Sequence, residues 1–383
     1  MLSLYAAANR CLDTVSSPEI RVFGRSLPAF RVMGYLGLLC SALLLLLTAA
    51  HAGLRWSVAA ALVPTGALTF LALAMATKIF TGEERLIYNH HEVAVLAVSA
   101  AFLRLAGLPV LSYLDLTILG VGTFLAFGRI GCLMAGCCHG RPHRWGIRYS
   151  ERHANLGFPQ YYTGIRLFPI QALESLWVLC AVAVGTLQVW NSSPPGAALA
   201  WYLVAYNLGR FAFEFLRGDP LRPYLAIFSE AQWTSLLLLW LVAWAELSHV
   251  LPFRSWHVGA ALLLTAAMAA LAPVLKRSSK HRLLRPDHIR ELMRIVEAAP
   301  SPTRRVLVLR TSAGVQISQG RIAANGGGLT QFTLSLRQGG LTEPVARVLA
   351  GEIARLKHSA DPGEVVPGGN GIFHLLIRSG GER

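Results

Sequence analysis

Four side chains carry charge where a mostly apolar chain has least use for it. Arg129 sits in GRIGCLMAGCCHG, Gly128 to Gly140, directly after the apolar run TILGVGTFLAF. Arg210, Glu214 and Arg217 sit in YNLGRFAFEFLRGD at i, i+4 and i+7, one face of a continuous helix. A charge inside a membrane-grade segment is costly unless it meets an anion or a water-filled cavity, so these residues mark a candidate site. Guanidinium forks stay charged and donate paired hydrogen bonds, which suits phosphate. In a membrane-embedded cavity the phosphate at hand is a phospholipid headgroup. The simpler alternative is that Glu214 only neutralises Arg210 and Arg217 within a bundle.

Other polar groups stand at the ends of apolar segments. His90 and His91 in IYNHHEV offer a general base, because neutral imidazole takes a proton near neutral pH. Ordinary interfacial surface is the plainer reading of that pair. Gln171 and Glu174 in RLFPIQALES fall one turn apart, as binding groups or as interfacial residues. Cys132, Cys137, Cys138 and His139 raise metal ligation. Their spacing is not that of a zinc knuckle, adjacent cysteines do not readily share one ion, and no second CxxC exists. Neither a metal nor a cofactor is expected, and the thiols are read as small residues that permit close helix packing. Cys40 and Cys180 fall inside apolar runs and read as core.

The elements that must position these groups are membrane helices. Of 383 residues, 54% are hydrophobic and 14% charged, against about a quarter charged in soluble domains. Apolar segments occur at about 33–52, 57–76, 91–109, 110–128, 170–190, 197–216, 226–247 and 257–275. No cleavable leader is evident, and residues 1–32 read as an interfacial segment. A polar insert, 139–168, separates the fourth and fifth spans and reads as a cap on the bundle at one interface. Residues 276–286 form a basic linker. Residues 287–383 then read as a small soluble α+β domain. It holds a helix in PDHIRELMRIVEAA, strands in RRVLVLRT, VQISQGR and TQFTLSLR, a helix opened by Thr342, and a last strand in GIFHLLIR. The fold class expected is an all-α polytopic membrane protein of seven or eight spans with this α+β domain appended.

The formal charge of +15 does not point to nucleic acid, because the basic residues lie mostly between apolar runs, where anionic membrane lipid is the natural partner. On eight spans, thirteen basic residues, including Arg10, Lys78, Arg85 and Arg217, fall on the insert's side. Arg55, Arg104 and Arg254 fall on the other. The positive-inside rule places the insert and the C-terminal domain in the cytoplasm.

At these residues the chain resembles the prolipoprotein diacylglyceryl transferases, membrane enzymes of bacteria. Gly128, Arg129, Gly131, Gly136 and Gly140 are in register with that family's hallmark G-R-x-G-N-F-x-N-G-E-x-x-G. GRFAFEFLRGD looks like its late arginine-glutamate-arginine segment, PIQALES like its P-x-Q-x-x-E, and SEAQWTS like the start of its seventh helix. The resemblance covers about residues 30–247. It implies transfer of diacylglyceryl from phosphatidylglycerol to a prolipoprotein cysteine in the bacterial inner membrane, at a site open to the outer face. It also implies that Arg129, Arg210 and Arg217 hold the phosphate and that Glu214 orients an arginine. His91, or His90, is the base, and Gly131, Gly140, Gln171 and Glu174 complete the substrate site. Cys132, Ala135 and Cys137 replace the hallmark's asparagines and glutamate. Met33 stands where the family has a tyrosine, and His91-Glu92-Val93-Ala94 replaces its His-Gly-Gly-Leu. Groups nearest the acceptor thus differ while the phosphate-holding arginines persist. The alternatives are a paralogous phospholipid-dependent transferase with a different acceptor, a cytosolic one included, and a non-enzymatic phospholipid-binding membrane protein.

Overall fold

The computed structural model describes residues 2–82, 87–220, 222–298, 308–324, 327–336, 340–357 and 363–378. Arg85 and the first residues of RRVLVLRT lie outside them. The chain opens with helix α1 (Leu2–Val15) and the hairpin β1 (Glu19–Val22) and β2 (Arg25–Pro28). The long helices follow: α2 (Ala29–His51), α3 (Trp56–Thr81), α4 (Tyr88–Leu105) and α5 (Val110–Ala135). The insert holds β3 (Pro142–Arg148), the short α6 (Glu151–Ala154) and β4 (Arg166–Leu167). Then come α7 (Ile170–Trp190), α8 (Ala197–Phe213), the hairpin β5 (Tyr224–Leu225) and β6 (Phe228–Ser229), α9 (Glu230–Leu247) and α10 (Ser255–Arg277).

Each apolar segment of the sequence is a helix. Among the described residues five helices, α2, α3, α5, α7 and α10, are long and apolar enough to cross a membrane. The 17 residues of α8 and the 18 each of α4 and α9 are shorter or more polar. Leucines on α2, α3, α9 and α10 stay exposed, including Leu39, Leu68, Leu241 and Leu263, as lipid-facing surface would be. Trp56, Trp190 and Trp256 mark the helix ends at the face opposite the insert.

Helix α5 is the axle. Its apolar window is 67% buried, against 22% for α2 and 17% for α3 and α10, because α2, α4, α7 and α8 all pack on it. Small residues let them close in: a Cβ at Gly122 would meet the Tyr202 ring and Val182. Asp115, which spoils the apolar pattern of α5, accepts from the backbone N–H groups of Gly196 and Leu199 at 2.7 Å each and so caps α8. Glu246, likewise buried, contacts His257 and fixes the α9–α10 turn.

The N-terminal segment is built into the insert. Asp13 pairs with Arg166 at 2.9 Å and accepts from the Arg148 N–H, and Asn9 accepts from the Gly146 N–H. The expected linker is largely helical: α10 runs to Arg277 and α11 (Ser279–Leu283) follows. Beyond it lie α12 (Pro286–Ala298), β7 (Val308–Arg310), β8 (Val315–Ala324), β9 (Gly327–Leu336), α13 (Glu343–Leu356), β10 (Glu364–Gly369) and β11 (Ile372–Arg378). The sheet is antiparallel in the order β10-β11-β9-β8-β7. The turn-rich PGGNG proves to be mostly strand β10, whose residues hydrogen-bond to β11.

This domain is not tethered loosely. Leu283, Ile289, Leu292 and Met293 share one buried cluster with Leu133, Ile147, Tyr149, Phe158 and Tyr162. The Arg285 guanidinium lies 4.1 Å from the Tyr224 ring centroid. The C-terminal domain therefore packs directly against the insert.

Candidate functional site

Arg129 lies two turns before the end of α5, so the hallmark segment is helical up to Ala135 and not a loop after the span. Gly136 ends the helix in a left-handed conformation, and Cys138 also has positive φ, at 53°. The chain reverses there, and residues 139–141 run antiparallel to 216–218. Arg141 N–H donates to the Leu216 carbonyl at 3.1 Å and Gly218 N–H to the His139 carbonyl at 2.8 Å. A Cβ at Gly140 would strike the Phe168 carbonyl, and one at Gly218 the Gly140 carbonyl. Gly140 thus serves this crossing. Gly131 serves another, facing Met33 and Phe30 of α2.

The arginines arrive paired. Arg129 Nη2 lies 3.1 Å from Glu174 Oε1, and the Arg129 Nε is buried with no hydrogen-bond partner among the described residues. Arg210 Nη1 donates to Glu214 Oε2 at 2.6 Å. Arg217 does not continue the face of α8. The helix ends at Phe213, Glu214–Leu216 form a 3-10 turn, and Arg217 is extended, drawn into the pairing with residues 139–141 ahead of Gly218 and Pro220. Its fork grips Asp219 with two 2.8 Å bonds, and its Nη1 stays 4.0 Å from Glu214. Arg222 supplies the second partner of Glu214, at 2.6 Å, and ties down the Arg217 and Asp219 carbonyls. Neutralisation by Glu214 is therefore real for Arg210, with Arg222 in the part expected of Arg217.

The groups converge. The Tyr206 hydroxyl, buried and without a partner among the described residues, lies within electrostatic reach of Glu174, Arg210, Arg129 and Glu92, and Arg129 within reach of Arg217. Tyr206 stacks on Tyr202, whose hydroxyl is 2.9 Å from that of Tyr88, which donates to Glu92 at 3.0 Å. Gln171 joins the turn: its Nε2 donates to the Cys137 carbonyl at 2.8 Å, while its Oε1 is buried without a partner among the described residues. Asp219, Arg222 and Tyr206 escaped the sequence reading. A signal for Tyr206 existed, since Tyr202, Tyr206, Arg210 and Glu214 recur every fourth residue.

The two histidines part company. His90 is half-exposed and pairs with Glu230 at 3.0 Å. His91 is buried against Phe70, with Nδ1 on the Ile87 carbonyl at 3.0 Å and Nε2 without a partner among the described residues. His139 is buried too, its Nδ1 on the Gly140 carbonyl, and burial holds its imidazole below the ordinary range, hence neutral.

Residues 92–247 match the family model described as prolipoprotein diacylglyceryl transferase. The match begins one residue after His91 and ends with α9, so it takes in α5, the insert, α7 and α8. Among similar proteins are a phosphatidylglycerol–prolipoprotein diacylglyceryl transferase 2 of Clostridium perfringens and a namesake enzyme of Clostridium tetani. The first is 33% identical over 138 residues, 34% of this chain and 49% of the relative. The second is 32% identical over 130 residues, 34% of this chain and 50% of the relative. A Dehalococcoides mccartyi transferase of the same name is 32% identical over 104 residues, 27% and 39% of the two chains. The chain thus spans about half the length of the first two relatives. Helix α10 and the C-terminal domain lie outside the family match.

Proposed function

We propose that this chain is a membrane transferase that moves a diacylglyceryl group from phosphatidylglycerol to a cysteine thiol of a prolipoprotein, in the bacterial inner membrane. Charge balance carries the reading. Four buried arginines, Arg129, Arg210, Arg217 and Arg222, face three carboxylates, Glu174, Glu214 and Asp219. These arginines outnumber the carboxylates that pair with them, which leaves a guanidinium donor for the phosphate of one phosphodiester. Among the four, Arg129 holds a buried donor to spare. Lipid reaches the site sideways between helices.

The acceptor thiolate attacks the diacylglyceryl carbon that bears the phosphate ester. A C–S bond forms, the C–O bond breaks, and glycerol phosphate leaves with the bonding pair. Charge grows on the departing phosphate, where Arg129 and Arg210 stabilise it. The thiol proton needs a base, because the thiolate is the nucleophile. His91 is proposed for that role: its Nδ1 proton is spent on Ile87, which leaves the Nε2 lone pair free. Glu174 and Glu214 orient the arginines, Gln171 holds the turn beneath them, and eight spans set the bundle in the bilayer. Expression in a cell depleted of its own diacylglyceryl transferase tests the proposal. Restored lipoprotein modification supports it, and continued accumulation of unmodified prolipoprotein in cells holding the inserted protein sinks it.

A further inference from the structure

The three thiols of the hallmark segment, spread over CLMAGCC in the sequence, are a cluster in space. The Sγ atoms of Cys132, Cys137 and Cys138 all lie within 4.8 Å of one another. The turn explains how neighbours in sequence share one point. Gly136 ends α5 in the left-handed region, and the positive φ of Cys138 turns its side chain back toward Cys132 on the helix. A non-glycine residue at such a φ is uncommon, and the surroundings must hold it there.

We propose that Cys132, Cys137 and Cys138 form a binding site for one soft d10 metal ion, Cu(I) by preference. Metal–sulfur bonds of about 2.3 Å around a three-coordinate ion set the sulfurs about 4 Å apart, so the cluster contracts by no more than about 1 Å on loading. Thiolate-only ligation selects soft ions over oxygen-loving ones. Among the described residues no fourth histidine, cysteine or carboxylate atom joins the cluster, which favours three-coordinate Cu(I) over four-coordinate zinc. The charge of three thiolates also has its counterions in place. Arg129 is within electrostatic reach of Cys132 and Cys138, and Arg217 of Cys138. The site shares Arg129 and Arg217 with the proposed phosphate site, and its test reads metal and thiols without needing transfer activity.

The test uses the full-length chain, reduced and purified in detergent. It is titrated with Cu(I) against a chromogenic competitor and, separately, with Zn(II). The expected result is one Cu(I) per chain, with thiolate-to-metal absorption in the ultraviolet. Three of the six thiols should become unreactive toward a thiol reagent on loading. Cys138→Ser should abolish stoichiometric loading, and Cys40→Ser and Cys180→Ser should retain it. Zinc bound at one per chain with the same three thiols protected also supports the site and replaces copper as its ion. The site is overturned if neither ion protects three thiols in the wild-type chain, a reading that needs no variant to fold. Loading that survives Cys132→Ser/Cys137→Ser/Cys138→Ser overturns it as well.

Discussion

Replacing Arg129 by lysine separates charge from geometry at the proposed donor site. In the wild type, Nη2 faces Glu174 and the buried Nε is unpartnered, so a phosphodiester can draw more than one charge-assisted bond from this side chain. Each such bond contributes about 1.5–3 kcal/mol. Lysine keeps the charge and loses the fork. With one bond lost, and about 1.4 kcal/mol per tenfold, Arg129→Lys should lower kcat/KM for phosphatidylglycerol by about tenfold to about 150-fold. Arg129→Ala should lose at least the square of that factor. It also strands Glu174, only 2% exposed, and breaking a buried pair costs about 3–5 kcal/mol, so the alanine variant must be read beside its thermal stability. The assay follows labelled diacylglyceryl from phosphatidylglycerol in mixed micelles to a lipobox peptide. A lysine variant within twofold of wild type, or one as poor as a folded alanine variant, would refute the idea that the fork holds phosphate.

Three further outcomes are expected. His91→Ala should cost about 10²–10⁴ in kcat, the range for a lost general base, while His90→Ala should stay near wild type because His90 only pairs with Glu230 at the surface; matched losses would exclude His91 as the base. Acidification should loosen the insert: burial holds His153 below its ordinary range, with Nδ1 accepting from the Ser150 N–H and Nε2 on the Met134 carbonyl. A depressed imidazole contributes stability at neutral pH that is lost as the pH falls through about 6.5, visible as lower hydrogen-exchange protection factors in the insert, and His153→Gln should flatten that dependence. Cysteines placed at Ser150 and Lys357, in a background without native cysteines, should label from the same side of intact cells, since the C-terminal domain packs on the insert. Labelling from outside fits a lipobox thiol as acceptor; labelling only after lysis moves the acceptor to the cytosol.

The helices were legible because membrane spans announce themselves by length and hydropathy alone. The arginines proposed to hold phosphate stood out because a charge in such a run demands a reason. What escaped was whatever depends on where a helix stops. Spacing placed Arg217 on the α8 face, but Gly218 and Pro220 lie just beyond, and pairing with residues 139–141 pulled it into an extended conformation. Arg222 and Asp219, outside any periodic pattern, took up the charges that were freed. Asp115 looked like a flaw in a span until its partners, more than 80 residues away in sequence, proved to be the first N–H groups of α8. The closeness of Cys132, Cys137 and Cys138 has no signal in their spacing, because it depends on the positive φ at Cys138. The docking of the C-terminal domain had no local signal, since it rests on apolar contacts between segments about 150 residues apart in sequence.

The most direct measurement is transfer by the purified full-length chain. It is incubated with phosphatidylglycerol and a peptide carrying a lipobox cysteine, and the products are read by mass spectrometry. The account predicts a peptide heavier by one diacylglyceryl group in thioether linkage, with an equal amount of glycerol phosphate released. Both should fall together in Arg129→Lys. A folded, lipid-binding chain that yields neither product would contradict it.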